Sequence, residues 1–207
     1  MWSDQRSSGK FFASGAYYLN IIMYRKLKIT EMNRISVDEF HEAEKMPLVV
    51  VLDNVRSLYN VGSVFRTSDA FRVAGVVLCG ITATPPNAEI HKTALGAEDS
   101  VSWRAFKDTM DAVRWLRSEG YTLMAIEQCE GSTMLNDFMP APDKKYAVIL
   151  GNEVKGVQQQ VVDACDGCLE IPQYGTKHSM NVSVTAGIII YDFWQKEGLI
   201  AVPPQSV

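Results

Sequence analysis

Apolar runs without polar alternation recur along the chain from Pro47 onwards. Such a run is typical of a β-strand that is buried on both faces of a sheet. The pattern predicts five strands, in PLVVVLD, GVVLCGI, YTLMAIE, KYAVILG and GCLEIP. Helical periodicity predicts helices over 60–73, with Asn60 as the N-cap, near 90–97, near 107–118 and over about 182–196. We therefore predict an α/β fold with a mostly parallel sheet flanked by helices.

The same pattern divides the chain into three parts. Residues 1–22 are aperiodic and contain Ser and Gly, and Met23 could itself be a start, so we predict a disordered or non-native extension there. Residues 23–46 hold a short basic arm and then an amphipathic helix near Val37 to Lys45. We interpret the arm as a solvated surface in preference to a contact with a polyanion; its basic residues are Arg25, Lys26, Lys28 and Arg34. Residues 47–207 are predicted to form one domain.

The net charge, the cysteine spacing and the length of the apolar runs limit which classes of protein this chain can belong to. The 207 residues carry a formal net charge of −4, which excludes the global basic surface of many nucleic-acid binders. Among four cysteines only Cys165 and Cys168 form a C-x-x-C pair, and no further ligands stand at zinc-site spacing. We predict reduced thiols and no metal. No apolar run reaches the roughly 20 residues of a membrane span, and we expect a cytoplasmic protein.

Three polar segments follow predicted strands. The first runs from Asp53 to Arg66, the second is GNEVKG at 151–156, and the third is IPQYGTKHSMNVSV at 171–184. In a parallel sheet, ligands bind beyond the carboxyl ends of the strands. We therefore expect the three segments to lie close together and to form one site.

Each candidate residue also has a purely structural explanation. Asn and Ser are common helix caps, and Gly is common in turns. A carboxylate is stabilising at the start of a helix, and an Arg on a helix can face solvent without any further role. These alternatives stay open for Asn60, Arg66, Gly151, Glu153, Gly156, Ser179 and Asn181. Their joint position at three strand ends favours a site. Neither G-x-G-x-x-G nor G-x-x-x-x-G-K-[ST] occurs at these junctions, which argues against a dinucleotide or nucleoside triphosphate site.

Taken together, the three segments resemble the motifs of the SpoU (TrmH-like) branch of the SPOUT RNA methyltransferases. The first motif of that family places an Arg six residues after an Asn, as Asn60 and Arg66 stand here. The second is roughly G-x-E-x-x-G, and the third is I-P-M-x-G-x-x-x-S-L-N-V-S-V, from which this chain departs at Gln173 and Met180. The resemblance covers about residues 47–197. It implies a SPOUT fold with a deep trefoil knot near the carboxyl end, and a homodimer.

The resemblance also implies S-adenosylmethionine as the cofactor, held in the knot loops largely by backbone groups. Peptide N–H and C=O groups match the donor and acceptor edge of adenine, and glycine lets the backbone approach closely. The residues carried over by motif are Gly151, Ile171 and Met180. No metal and no membrane partner is implied.

The implied reaction is methylation of a ribose 2′-hydroxyl in tRNA or rRNA. The catalytic residues carried over are Arg66, Asn60, Glu153, Ser179 and Asn181. The family makes Arg66 the general base, but a guanidinium stays protonated at neutral pH, so a fixed cation that stabilises the developing alkoxide is the alternative. Contacts with RNA are expected at Arg56, Arg66, Lys155 and Lys177. Two other functions stay open, a knotted binding protein without chemistry and a nucleotide-dependent oxidoreductase.

Overall fold

The structure, a computed structural model, describes residues 25–197. The predictions made for residues 1–22 lie outside this range. The chain divides into two compact units, Met1–Arg34 and Ile35–Val207. In the described part of the first unit, a 3-10 turn spans Ile29–Glu31 and the guanidinium of Arg25 pairs with the Glu31 carboxylate at 3.0 Å. One cation of the predicted basic arm is therefore neutralised within the arm.

Within the described part of the second unit, seven parallel strands form one sheet in the order β3-β2-β1-β6-β4-β7-β5. Their bounds are β1 Met46–Asp53, β2 Val73–Cys79, β3 Trp103–Phe106, β4 Tyr121–Ile126, β5 Thr133–Met134, β6 Lys145–Leu150 and β7 Gly167–Glu170. Successive side chains of a strand face opposite sides, so in β1 Val50 packs into one core and Val51 into the other. The predicted α/β class with a parallel sheet covered on both faces is confirmed.

Helices cover both faces of this sheet. Over residues 35–197 their bounds are α1 Val37–Glu42, α2 Leu58–Ala70, α3 Ala88–Ala94, α4 Ala97–Ser100, α5 Thr109–Ser118, α6 Gln159–Asp163 and α7 Val182–Glu197. The compact unit includes α1, because Phe40 is buried in the main core. Helix α2 packs tightly against α3, since a Cβ on Gly62 would stand 2.2 Å from the Ile90 carbonyl oxygen. No helix of residues 25–197 combines the length and the apolar character that a membrane crossing requires.

Two predicted helix boundaries are wrong. Helix α2 begins at Leu58, and its N-cap is Ser57, whose Oγ accepts a hydrogen bond from the Asn60 amide at 3.3 Å. Asn60 therefore lies in the first turn, and its side chain is free for another partner. The helix expected near 90–97 is broken into α3 and α4, because Leu95 adopts a left-handed φ of 54° and Gly96 follows at 90°.

Candidate functional site

Three loops meet at the carboxyl edge of the sheet. The first loop, residues 54–57, joins β1 to α2; the second, residues 151–158, joins β6 to α6; the third, residues 171–181, joins β7 to α7. Strands β1 and β6 are direct neighbours, and β7 is separated from β6 only by β4. A cavity of about 600 Å³, called here the edge cavity, is lined by the second and third loops and by the end of β4.

The Glu153 carboxylate connects the second loop to the first. Its two oxygens accept hydrogen bonds from the backbone amides of Arg56 and Ser57, each at 3.1 Å. The Asn60 Nδ2 group donates to the same carboxylate at 3.4 Å. The Nδ2 group of the Asn60 side chain points towards this carboxylate. The Oδ1 atom of the same side chain therefore points towards the third loop.

Asn60 and Asn181 connect the first and third segments directly. The Asn181 Nδ2 group donates to the Asn60 Oδ1 atom at 3.1 Å. The Asn181 Oδ1 atom accepts from the backbone amides of Ser183, at 2.9 Å, and Val184, at 3.3 Å, so that Asn181 also caps α7. The capping explanation and the site explanation therefore apply to the same residue. The three predicted segments are joined by one hydrogen-bond network, which we call the motif network, of Glu153, Asn60, Asn181 and Ser183.

Glu153 is ionised at neutral pH. Burial raises the pKa of its carboxyl group, but the hydrogen bonds from the amides of Glu153, Arg56 and Ser57 and from the Asn60 side chain outweigh burial. The pKa therefore lies below the ordinary value of 4.5. An ionised carboxylate only accepts hydrogen bonds, so Glu153 is suited to hold Asn60 in one orientation and poorly suited to donate a proton.

The second loop folds back on itself, and this explains its two glycines. A Cβ on Gly151 would stand 2.0 Å from backbone atoms of Gly156 and Val157, so glycine is required there by the chain's own backbone. Gly156 has a φ of +69°, a left-handed conformation that favours glycine. The amides of Asn152 and Gly156 each donate to the other residue's carbonyl, at 3.0 and 2.8 Å.

The predicted cofactor-binding residues Gly151, Ile171 and Met180 all line the edge cavity. Within residues 25–197, the backbone N–H and C=O groups of Ile171 and Met180 form no hydrogen bond, so they are available to a ligand. Buried Leu150 and Leu169 supply an apolar floor. The volume and the free peptide groups suit a nucleoside-sized ligand with a flat base. The predicted cofactor S-adenosylmethionine fits this description.

Glu127 and Gln128 line the same cavity and were missed in the sequence. The Glu127 Oε1 atom accepts from the Val157 amide at 2.7 Å, and the Gln128 Nε2 group donates to the His178 carbonyl at 2.9 Å. These two side chains connect the end of β4 to the second and third loops. The signal was present, because a polar pair directly after an apolar strand is the pattern that identified the other three segments.

The predicted RNA-contacting residues are exposed, but they do not all border the edge cavity. Lys155 lines the cavity and Arg66 does not. Within residues 25–197, the Arg66 guanidinium has no hydrogen-bond or ion-pair partner, so it is not part of the motif network. Ser179 lines the cavity, and its hydroxyl forms no hydrogen bond within the same range. Asp53, the first residue of the first segment, is fully buried and accepts hydrogen bonds from Thr109 and Gln158.

The cysteines lie apart from this chemistry. All four are free thiols, and burial raises the pKa of Cys165 and of Cys168 to about 12, so both keep their protons. Among residues 25–197 there is no group of three His, Cys, Asp or Glu side chains that could hold a metal ion. A second concavity, of about 640 Å³, lies beside α1 and is lined mostly by acidic side chains, with none of the predicted site residues.

Comparison with known proteins gives consistent results. A sequence model of the SpoU rRNA Methylase family matches residues 47–191. A 23S rRNA (guanosine-2′-O-)-methyltransferase from Vibrio parahaemolyticus is 27% identical over 180 residues, which cover 87% of this chain and 71% of the relative. A tRNA (guanosine(18)-2′-O)-methyltransferase from Thermus thermophilus is 30% identical over 164 residues, covering 79% of this chain and 82% of the relative.

Solved structures share the fold. An AdoMet-bound rRNA methyltransferase from Sinorhizobium meliloti matches with a TM-score of 0.69 and 25% identity, over 78% of this chain and 61% of that one. A TrmH/SpoU tRNA modifying enzyme from A. aeolicus matches with a TM-score of 0.68 and 25% identity, over 78% and 82% of the two chains. This chain thus spans less than two thirds of the Sinorhizobium protein, and most of the A. aeolicus one.

Proposed function

Because the chain belongs to the SpoU rRNA Methylase family, we propose that it transfers the methyl group of S-adenosylmethionine to a ribose 2′-hydroxyl of tRNA or rRNA. The observation that carries this proposal is the motif network, which joins the first motif segment to the second and third segments, the two that line the edge cavity. The presence of all the motif residues, Asn60, Arg66, Glu153, Ser179 and Asn181, argues against a binding protein without chemistry. An oxidoreductase would need a phosphate-binding glycine loop, which these junctions lack.

When bound, the cofactor supplies a methyl group on a positively charged sulfur, which is a good leaving group. A bond from the ribose oxygen to that carbon would replace the sulfur–carbon bond, the sulfur would leave as a neutral thioether, and the hydroxyl proton would pass to solvent. The protein's contribution is to hold the two reacting atoms in line and to stabilise the negative charge that develops on oxygen. We propose that Gly151, Ile171 and Met180 bind the cofactor through their backbones, and that Ser179 faces the reaction centre.

Asn60, Glu153 and Asn181 act in this proposal as positioning residues. Glu153 fixes the Asn60 amide, and Asn60 in turn fixes Asn181 at the start of α7. Their hydrogen-bonding atoms are largely occupied by each other, so their effect on the ribose passes through the shape of the three loops. A rigid surrounding of this kind is what keeps a reactive geometry within a fraction of an ångström.

The RNA is held in this proposal by four exposed cations of the three motif segments, Arg56, Arg66, Lys155 and Lys177, of which Lys155 lines the cavity. Arg66 has no partner within residues 25–197, so its planar fork is free to bind a phosphate with two hydrogen bonds. A local set of cations can hold RNA on a protein of net charge −4, with an affinity that falls as salt rises. We place the reaction in the cytoplasm, where four free thiols are stable; fractionation of cells checks this.

The function is tested by mapping ribose methylation. The purified full-length protein is incubated with S-adenosylmethionine and with total RNA from cells that lack it, and the RNA is then hydrolysed in alkali. A 2′-O-methyl group protects the adjacent phosphodiester, so we expect a discrete new protected position in a tRNA or rRNA. Binding of the cofactor without any protected position would support the inactive binding protein instead.

The role of Arg66 is tested in single-turnover reactions of the Arg66→Lys variant across a pH series. Lysine keeps the positive charge but loses the planar fork. A fixed clamp predicts a rate lower by about 10²-fold with an unchanged pH dependence. Appreciable activity with a pH profile shifted to lower pH would show that Arg66 acts as the base, and a variant as active as wild type would remove Arg66 from the chemistry.

We also propose that the chain is knotted near its carboxyl end and forms a homodimer. The knot rests on the family likeness. Stretching the unfolded chain from both ends checks the knot, since a knotted chain extends to less than its full contour length.

The dimer is supported by an exposed apolar stripe on α7, formed by Val184, Ile188 and Tyr191.

A further inference from the structure

Tyr174 is an aromatic side chain with no role in the fold. It is 97% exposed, which is the highest value among the large hydrophobic side chains of residues 25–197. Its ring therefore buries almost no area and contributes almost nothing to folding stability. It belongs to the third loop, in which Gln173 and His178 line the edge cavity. An exposed aromatic ring offers a flat apolar face on which the unstacked base of a nucleic acid can stack.

The loop that carries Tyr174 is anchored at its far end. The Gln128 side chain holds the His178 carbonyl at 2.9 Å, and Asn181 caps the helix that follows. At the tip, a Cβ on Gly175 would meet no atom within 4 Å, so the tip projects into open space. Tyr174 is therefore exposed on a loop that lines the edge cavity at Gln173 and His178, and the carboxyl-terminal end of this loop is tied to the segment after β4 and to α7.

The charges around Tyr174 define what it could bind. Lys177 is exposed in the same loop, and within residues 25–197 its ammonium group has no hydrogen bond or ion pair. On the second loop, which also borders the cavity, Val154 is 78% exposed and is followed by the exposed cation Lys155. Lys155, like Lys177, has no side-chain hydrogen bond or ion pair to any residue of 25–197, so each loop offers one exposed apolar side chain and one cation. An unpaired nucleotide offers the complement, a flat base and a phosphate.

We propose that Tyr174 stacks on an unpaired RNA base at the mouth of the edge cavity while Lys177 contacts the adjacent phosphate. This inference rests on the proposed function and adds the class of substrate to it. Bases inside an A-form helix are stacked on each other and do not offer a free face, so the preferred substrate is a loop, bulge or single strand. A continuous duplex is disfavoured.

The test uses a fluorescent synthetic RNA as the probe, so the natural RNA target need not be known. A single-stranded RNA of about 12 nucleotides with one 2-aminopurine is compared with the same strand in a full duplex. Stacking on Tyr174 should quench the probe, and the wild-type protein should prefer the single strand. Tyr174→Ala should weaken single-strand binding by about 5- to 150-fold, and Tyr174→Phe should bind as wild type does. Met139→Ala, another strongly exposed residue outside the cavity, is the matched control and should have no effect.

Two results would overturn this inference. One is equal binding of the single strand by wild type and Tyr174→Ala, and the other is a preference for the duplex. The outcome is separable from that of the proposed function, because methylation of RNA by the wild type is measured independently. Methylation with no effect of Tyr174→Ala on binding would refute only the stacking; stacking without methylation would refute only the reaction.

Discussion

At the scale of single residues, the carboxylate of Glu153 makes the clearest prediction. Its folded-state pKa lies below the ordinary value of 4.5, so its contribution to stability is present above pH 4.5 and is lost as the pH falls through the lower folded-state value. Glu153→Gln keeps the size of the side chain but replaces one carboxylate oxygen by an NH2 group. That group cannot accept a hydrogen bond from a backbone N–H group. We expect a loss of about 1 kcal/mol in the free energy of unfolding at pH 7, moderated by the exposure of this site to solvent.

Urea unfolding of both proteins at pH 7 and pH 4 measures this effect. The difference between wild type and Glu153→Gln should shrink at the lower pH. Glu130→Gln is the control, because the Glu130 carboxylate is exposed and accepts no hydrogen bond within residues 25–197. A difference that stays constant, or grows, as the pH falls would contradict the assignment of an ionised, hydrogen-bonded Glu153.

The sequence predicted which residues lie together at the candidate site, but it did not predict which of them are joined by hydrogen bonds. Gly151, Glu153, Ile171, Met180 and Asn181 all line one cavity because polar segments that follow strands of one parallel sheet share an edge. The hydrogen bonds that join the segments could not be read from the sequence. They connect residues up to 123 positions apart, and no local pattern specifies such a pair. The role of Ser183, whose hydroxyl donates to the Asn60 Oδ1 atom at 3.4 Å, was missed for the same reason.

At the scale of elements, helix α7 presents an apolar face that nothing covers within residues 25–197. Val184, Ile188 and Tyr191 are 54%, 37% and 50% exposed and recur at helical spacing on one side. Tyr191 is held in place by edge contacts with Phe71, at 6.0 Å between ring centroids. Ile188→Glu would bury a charge if this face forms the dimer interface, so we expect the wild type to be a dimer and the variant a monomer.

Sedimentation at micromolar concentration measures the state of association. Val37→Glu is a suitable control, since Val37 is 46% exposed at the first position of α1, where a carboxylate is favoured. Circular dichroism shows whether each variant is folded. A wild type that sediments as a monomer, or a folded Ile188→Glu that remains dimeric, would remove α7 from the interface.

The elements that sequence reasoning missed share a physical cause. Strand β3 lies at one edge of the sheet and is mostly exposed, and β5 is a two-residue strand at the other edge. Neither has the buried apolar run by which the central strands were recognised. Helix α6 has five residues, too few for its periodicity to be distinguished from a turn.

At the scale of the whole molecule, alternation of apolar runs and helices was sufficient to predict a parallel α/β architecture. The order of the strands was not predictable in this way. Strand β1 lies between β2 and β6, and β4 lies between β6 and β7. Which strands become neighbours depends on how the complete chain packs. The family likeness, confirmed by the match over residues 47–191, carried the function further than the residue pattern alone could.

The hydrogen bond between Asn60 and Asn181 has a consequence for how the protein is made. The two residues are 121 positions apart, and ribosomes add about 5–20 residues per second. Asn60 is therefore synthesised roughly 6–24 seconds before the residue that completes the site. During that interval the growing chain already contains β1 and β2, which pair in the folded sheet, but lacks the complete third loop. The same chain can acquire methylating activity only after the start of α7 has left the exit tunnel.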